Sequence, residues 1–386
     1  MIYLDNAATS FPKPPCVTQA VVEFMQNVGA SAGRGAYKSA QDSGNLLFSA
    51  RERLARLLGN KQSAQNIFFT YNATYALNLV LHGILEQNDN VLITQIEHNA
   101  LMRPLKFLEH TKGIKIRQIP TTAQCGLNLT QAKGLSKGVK LIACIGANNV
   151  TGAIMPLDSL KEIARESGAF LLIDAAQILG VSTFENDGVD IVCGSAHKGL
   201  LAPMGLGICA LSQRAGQYLE PLILGGTGSA SESLEQPKAL PDKFESGTQN
   251  MHAIAGLDSA LAWLENVGVE KIFLHENTIR AYFVEGLRRI EGVGGIKICE
   301  IESHYKSTGV LSFTCADIAK MAHLLDKRYD ICVRAGLHCN PCTHKTIGTL
   351  ATYGTIRLSP SYTTTFTDAE LTLKAIAEIA KILKTP

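Results

Sequence analysis

The sequence holds little net charge and no block of it. Lys and Arg number 36 against 34 Asp and Glu, a formal net charge of +2. No Lys/Arg run is interleaved with aromatics, which argues against nucleic acid or an anionic membrane as the main partner, since both need a clustered positive field. No apolar run reaches membrane-spanning length. The opening Met1-Ile2-Tyr3-Leu4-Asp5 lacks a cationic start ahead of an apolar core, so no signal peptide and a cytoplasmic protein are expected. Ten cysteines are present, but without a secretory signal a disulfide framework is not expected. Charged residues are only 18% of the chain and hydrophobic ones 46%, so disorder is not expected either. At 386 residues the chain suits one large domain carrying a smaller one.

What the sequence does contain is an alternation of strand and helix patterns. Strand-like runs stand at 66–70, 91–94, 114–119, 139–145 and 169–173. Helical periodicity fills 41–58, 73–85 and 157–167. Nearly unbroken apolar strands separated by amphipathic helices predict an α/β architecture, a mostly parallel sheet with helices on both faces. Ligands of such sheets gather beyond the carboxyl ends of the strands. After Leu211 a loop-rich stretch leads to one long helical run at 252–290. Strands then follow at 296–301, 309–314, 331–334 and 355–359, with helices at 317–327 and 368–383. This second pattern reads as a smaller α+β domain whose boundary falls near 250.

Chemistry collects at the strand ends. Lys198 in Ser195-Ala196-His197-Lys198-Gly199 follows the apolar run 190–194 and precedes a glycine-rich segment. A buried lysine amine loses charge, and the neutral amine is a nucleophile toward carbonyl carbon; a solvated loop lysine is the alternative. Asp174 ends an apolar strand and Gln177 follows it. A buried carboxylate wants a cation, such as a protonated pyridine nitrogen; a helix-capping role is the alternative. Asn72-Ala73-Thr74 opens a helix directly after a strand, where free N–H groups and a hydroxyl make a phosphate seat, unless Thr74 is simply a cap. His98, beyond the 91–94 strand, is placed to stack on a planar ring or to lie at the surface.

These segments resemble the class V aminotransferase group of pyridoxal-phosphate enzymes, and within it the cysteine desulfurases and selenocysteine lyases. The likeness runs from Tyr3-Leu4-Asp5-Asn6-Ala7-Ala8-Thr9 almost to the C-terminus. It implies a fold-type-I transferase architecture, with residues 15–250 as the cofactor-binding domain. Residues 1–14 and 251–386 would form the small domain. It implies that His98 stacks on the cofactor, Asp174 pairs with the pyridinium, and Gln177 and Asn149 approach the phenolic oxygen. Ala73, Thr74, Ser195 and His197 would serve the phosphate, and Lys198 would bind the aldehyde. Thr248, in Phe244-Glu245-Ser246-Gly247-Thr248, would reach the phosphate of a neighbouring subunit, making the active site shared across a homodimer.

The small domain decides the reaction. Val333-Arg334-Ala335-Gly336-Leu337-His338-Cys339 resembles the short-loop desulfurase motif whose cysteine accepts sulfur. Arg334 and Arg357 would bind the substrate with Asn149, and a planar guanidinium grips a carboxylate with two parallel bonds. The resemblance implies that Lys198 takes the Cα proton of L-cysteine, with His98 assisting. Cys339 would then receive the sulfur and pass it to an acceptor protein or small thiol, while L-alanine leaves. Gly33-Arg34-Gly35 departs from the family pattern, which often has histidine before that arginine. Cys342 leaves three options open: a relay or redox partner of Cys339, a bystander, or part of a zinc site with His338, Cys339 and His344. Selenocysteine lyase and a non-catalytic sulfur carrier or metal-binding protein on the same fold are the rival functions.

Overall fold

The apolar runs assemble as one sheet. The computed structural model describes residues 1–33, 35–59 and 63–383, so Arg34 lies outside the described residues. The first strands are β1 Ile2–Tyr3, β2 Ile67–Thr70, β3 Asn90–Thr94, β4 Lys115–Ile119 and β5 Leu141–Ile145. Then come β6 Phe170–Asp174, β7 Ile191–Ser195 and β8 Gly207–Leu211. The seven strands from β2 on stand in the order β2-β8-β7-β6-β5-β3-β4. β4, β3, β5, β6 and β7 run parallel, and β8 runs antiparallel to both of its neighbours.

Every residue of β5, β6, β7 and β8 is buried, as strands covered on both faces must be. The two-residue period divides them between cores: Leu171 and Ile173 enter one, Phe170 and Leu172 the other. β4, at the sheet edge, carries Lys115 and Arg117 and is only partly buried, which discourages further strand pairing.

The second unit is built on β9 Lys297–Ile298, β10 Leu311–Thr314, β11 Ile331–Cys332, β12 Arg334–Gly336 and β13 Thr355–Leu358. Four of these form an antiparallel sheet in the order β12-β13-β10-β9, whereas β11 pairs in parallel with β1. The strand expected over 331–334 is therefore two strands serving different partners. Leu4 sits in this unit's core, which ties the N-terminal segment to it.

The helical run expected over 252–290 is broken. Met251–Val267 and Val269–Arg289 meet at Gly268, whose φ of +90° suits glycine. The first helix buries Ile254, Leu257 and Leu261 against the large sheet, and the second puts Ile279, Phe283 and Leu287 into the small core. The second helix also serves both cores, since Ile272 belongs to the large one. Helical periodicity says that a face is buried, not which core buries it. Among the described residues no helix is long and apolar enough to cross a membrane.

Candidate active site

A pocket of about 420 Å³ opens beyond the carboxyl ends of β5, β6 and β7. Its walls include Ala73, Thr74, His98, Asn149, Asp174, Gln177, Ser195 and Lys198. Residues far apart in the chain meet there because parallel strands carry their following loops to the same edge.

Asp174 ends β6. Its Oδ1 accepts the Ala176 N–H at 3.1 Å. Burial raises its pKa, and the Ala176 N–H and then Lys198 act against that rise. Lys198 follows β7 by three residues. Loss of hydration in the cleft brings its pKa down to about 8, opposed by Asp174 and reinforced by Arg357 and Arg334. A substantial fraction of this amine is therefore neutral near pH 8, as an attacking or proton-abstracting amine must be.

His98 caps the helix Asn99–Lys112: its Nδ1 accepts the Ala100 N–H at 3.0 Å. Burial first, then Lys198 and Arg334, brings its pKa down to about 4. The ring is thus neutral near pH 7, with its proton on Nε2. Its neighbour in sequence, Glu97, is wholly buried, accepting from Thr94 Oγ1 at 2.5 Å and from the Ile145 N–H at 3.1 Å. Burial raises its pKa to about 8, and the nearby Asp174 adds to the rise.

The seat expected for a phosphate is the start of the helix Ala73–Ile84, where Ala73 and Thr74 line the pocket. Asn72, not Thr74, is the cap, its Oδ1 accepting from Tyr75 N at 2.9 Å. The N–H groups of Ala73 and Thr74 belong to the first helical turn and have no partner within it. A Cβ on Gly207 would stand 2.4 Å from the Asn72 carbonyl carbon, so glycine there lets β8 run hard against this helix start. The Ser195 hydroxyl lines the same pocket.

These features fit pyridoxal phosphate. Asp174 would take the ring nitrogen, and Ala73, Thr74 and Ser195 the phosphate. Lys198 would take the aldehyde carbon and His98 one face of the ring. Two of the other expected residues do not line this pocket. His197 is not a pocket wall; its carbonyl accepts from Ser10 N at 3.0 Å and Thr9 Oγ1 at 3.2 Å, holding the N-terminal segment. Thr248 lines a separate recess with Tyr71 and Tyr75. The Gln177 carboxamide borders the pocket but donates to the Ala7 carbonyl at 2.9 Å.

The small unit bonds to a wall of this pocket through Asn149. Arg334 and Arg357 face each other across β12 and β13. Arg357 is 2% exposed and gives Nη2 to Asp5 Oδ1 at 2.7 Å and Nη1 to the Asn149 carbonyl at 3.0 Å. Its Nε–H is buried without a partner. Cys339 is exposed, and Arg334 Nη2 lies 3.9 Å from its Sγ. The Cys339 carbonyl accepts from the N–H of Asn99, next to His98, at 3.0 Å.

Cys342 packs against the apolar core, and burial raises its thiol pKa, the opposite of what a relaying nucleophile needs. Among the described residues no three His, Cys, Asp or Glu side chains gather as a metal site. His338 and His344 instead bond Thr355 and Thr349. Sequence reading gave no role to Asp5, Glu97 or Asn340. Asp5 and Glu97 sit inside the quoted motifs; Asn340, beside Cys339, is distinguished only by the fold.

A class V aminotransferase family model matches residues 2–371. The chain is 29% identical to a probable cysteine desulfurase of Methanothermobacter thermautotrophicus, over 98% of this chain and 94% of that one. It is 30% identical to one of Borreliella burgdorferi, over 88% and 82%. The apo cysteine desulfurase of Thermococcus onnurineus superimposes with a TM-score of 0.91 at 28% identity, covering 98% of this chain and 94% of that one. A NifS-like protein follows with a TM-score of 0.85 at 25% identity, covering 99% of each chain. Matched along nearly its whole length, the chain belongs to the class V aminotransferase family.

Proposed function

We propose that this protein is a pyridoxal-phosphate-dependent cysteine desulfurase that moves sulfur from L-cysteine onto Cys339 and releases L-alanine. The observation that carries the reading is the exposed Cys339 thiol, beside Arg334 and on a loop bonded through His338 to Asn149, a wall of the Lys198 pocket. Relatives along the whole chain bear the desulfurase name. The cofactor, when bound, supplies an electron sink that stabilises negative charge at the substrate Cα.

The chain's own residues do the rest. Arg357 and Asn149 hold the substrate carboxylate, with Arg357 kept in place by Asp5. Lys198, its pKa brought to about 8 by burial, removes the Cα proton. His98, neutral, offers Nε2–H as a hydrogen-bond donor. An S–S bond forms between Cys339 and the substrate sulfur as the substrate Cβ–S bond breaks; Cβ takes a proton, which leaves a persulfide and alanine and needs no outside oxidant. A homodimer would bring Thr248 of one subunit to the phosphate of the other. The sulfur then passes to an acceptor protein or a small thiol that reaches the exposed Cys339.

The test is incubation of the holoenzyme with L-cysteine or L-selenocysteine, following alanine and the persulfide on Cys339. Equimolar alanine and persulfide from L-cysteine, both lost in C339A with the cofactor absorbance intact, is the expected result. Undiminished sulfur release by C339A, or alanine from L-selenocysteine alone, overturns the reading.

A further inference from the structure

Cys339 stands in a conformation that local preference does not favour. His338 and Cys339 both have positive φ, +50° and +57°. Two consecutive residues with side chains persist in this region only where their surroundings over-determine them. The carbonyls of both are held: Asn149 Nδ2, on the pocket wall, donates to His338 O at 2.8 Å, and Asn99 N, between the wall residues His98 and Ala100, donates to Cys339 O at 3.0 Å.

Asn340 ties these holds together. It is 0% exposed. Its Oδ1 accepts from Thr343 N at 3.0 Å, while its Nδ2 donates to Ile96 O at 3.1 Å and to Asn149 Oδ1 at 2.9 Å. One side chain thus caps the turn after Cys339, grips the strand end that leads to His98, and orients the carboxamide that holds His338. Aspartate, serine or threonine can also cap, but only a carboxamide adds two donated bonds to one accepted bond here.

We propose that Asn340 is a positioning residue for sulfur transfer, locking the His338–Cys339 pair to Asn149 and the Ile96–Asn99 segment so that the thiol stays aimed at the pocket. The inference rests on the reading of Cys339 as the sulfur acceptor. On this view the substrate is presented to a fixed thiol, and a misplacement of about 1 Å costs on the order of a hundredfold in rate.

The test compares N340S with N340A in the holoenzyme. Serine keeps the capping acceptor and loses both donated bonds without burying a charge; alanine loses all three. Both variants should show kcat for alanine formation reduced at least about tenfold, KM for L-cysteine within about threefold, and unchanged cofactor absorbance. Alkylation of Cys339 by iodoacetamide, followed on its own peptide, should change severalfold in rate in both. Wild-type kcat and alkylation in N340S would reduce Asn340 to a helix cap and overturn the proposal. So would loss of cofactor in parallel with kcat, which marks a merely structural role. Sulfur release by C339A is a separate outcome, and would remove the reading of Cys339 beneath it.

Discussion

Glu97 and Lys198 show how burial sets protonation in opposite directions. Glu97 has a folded pKa of about 8 against 4.5 for the free side chain. Its stability contribution is therefore full below pH 4.5 and lost as pH rises toward 8. E97Q, a neutral isostere, should unfold in urea about 1–3 kcal/mol harder than wild type at pH 8.5, and nearly the same at pH 4.5. A wild-type advantage at both pH values would show that the ionised carboxylate is the stabilising form. Lys198 has the reverse sign, about 8 in the fold against 10.5 free. Borohydride trapping of pyridoxal phosphate on the apoprotein should rise with pH and level off just above 8, whereas an unperturbed lysine would keep gaining to beyond 10; K198A should trap none at the site. Of this chemistry, the identities of Lys198, Asp174 and Cys339 were legible in the sequence. The state of Glu97 was not, because its burial comes from tertiary packing against the end of β5.

Elements bring these residues to one edge. The proposed phosphate seat depends on β8 lying close against the start of the helix Ala73–Ile84, an approach set by Gly207. G207A should push that helix start outward and weaken cofactor affinity about tenfold or more, at a stability cost of about 1–3 kcal/mol. Equilibrium dialysis and thermal unfolding measure the two effects, and unchanged affinity would show that the helix start is not the seat. The strands of the large sheet were legible because each is a short apolar run between turn signals. The break at Gly268 was not, since one glycine inside a helical pattern is often tolerated. Nor was the split at Val333, because β11 and β12 look continuous until their separate partners are seen.

At the scale of the molecule, one chain places Thr248 on a recess distinct from the Lys198 pocket. If it serves a neighbour's phosphate, a mixed dimer of K198A and T248V chains has one intact site. Mixing the two variants under exchange conditions should restore up to about half of wild-type activity per dimer, although a pure K198A dimer is inactive and a pure T248V dimer binds the cofactor weakly. No recovery would place the role of Thr248 within its own subunit, or nowhere in the site.

The sequence by itself determined the α/β alternation, the strand ends where chemistry gathers, and the residue types that suit an aldehyde cofactor and a sulfur-accepting thiol. These follow from local rules: hydrophobic period, turn residues and functional groups read in order. Only the tertiary structure decided that β8 runs antiparallel, that Gln177 is tied to Ala7, that the His197 carbonyl holds the N-terminal segment, and that Asp5 and Asn340 hold Arg357 and the Cys339 loop. Those outcomes depend on hydrogen bonds between residues up to 352 positions apart, and no local pattern encodes a partner that distance brings near only on folding.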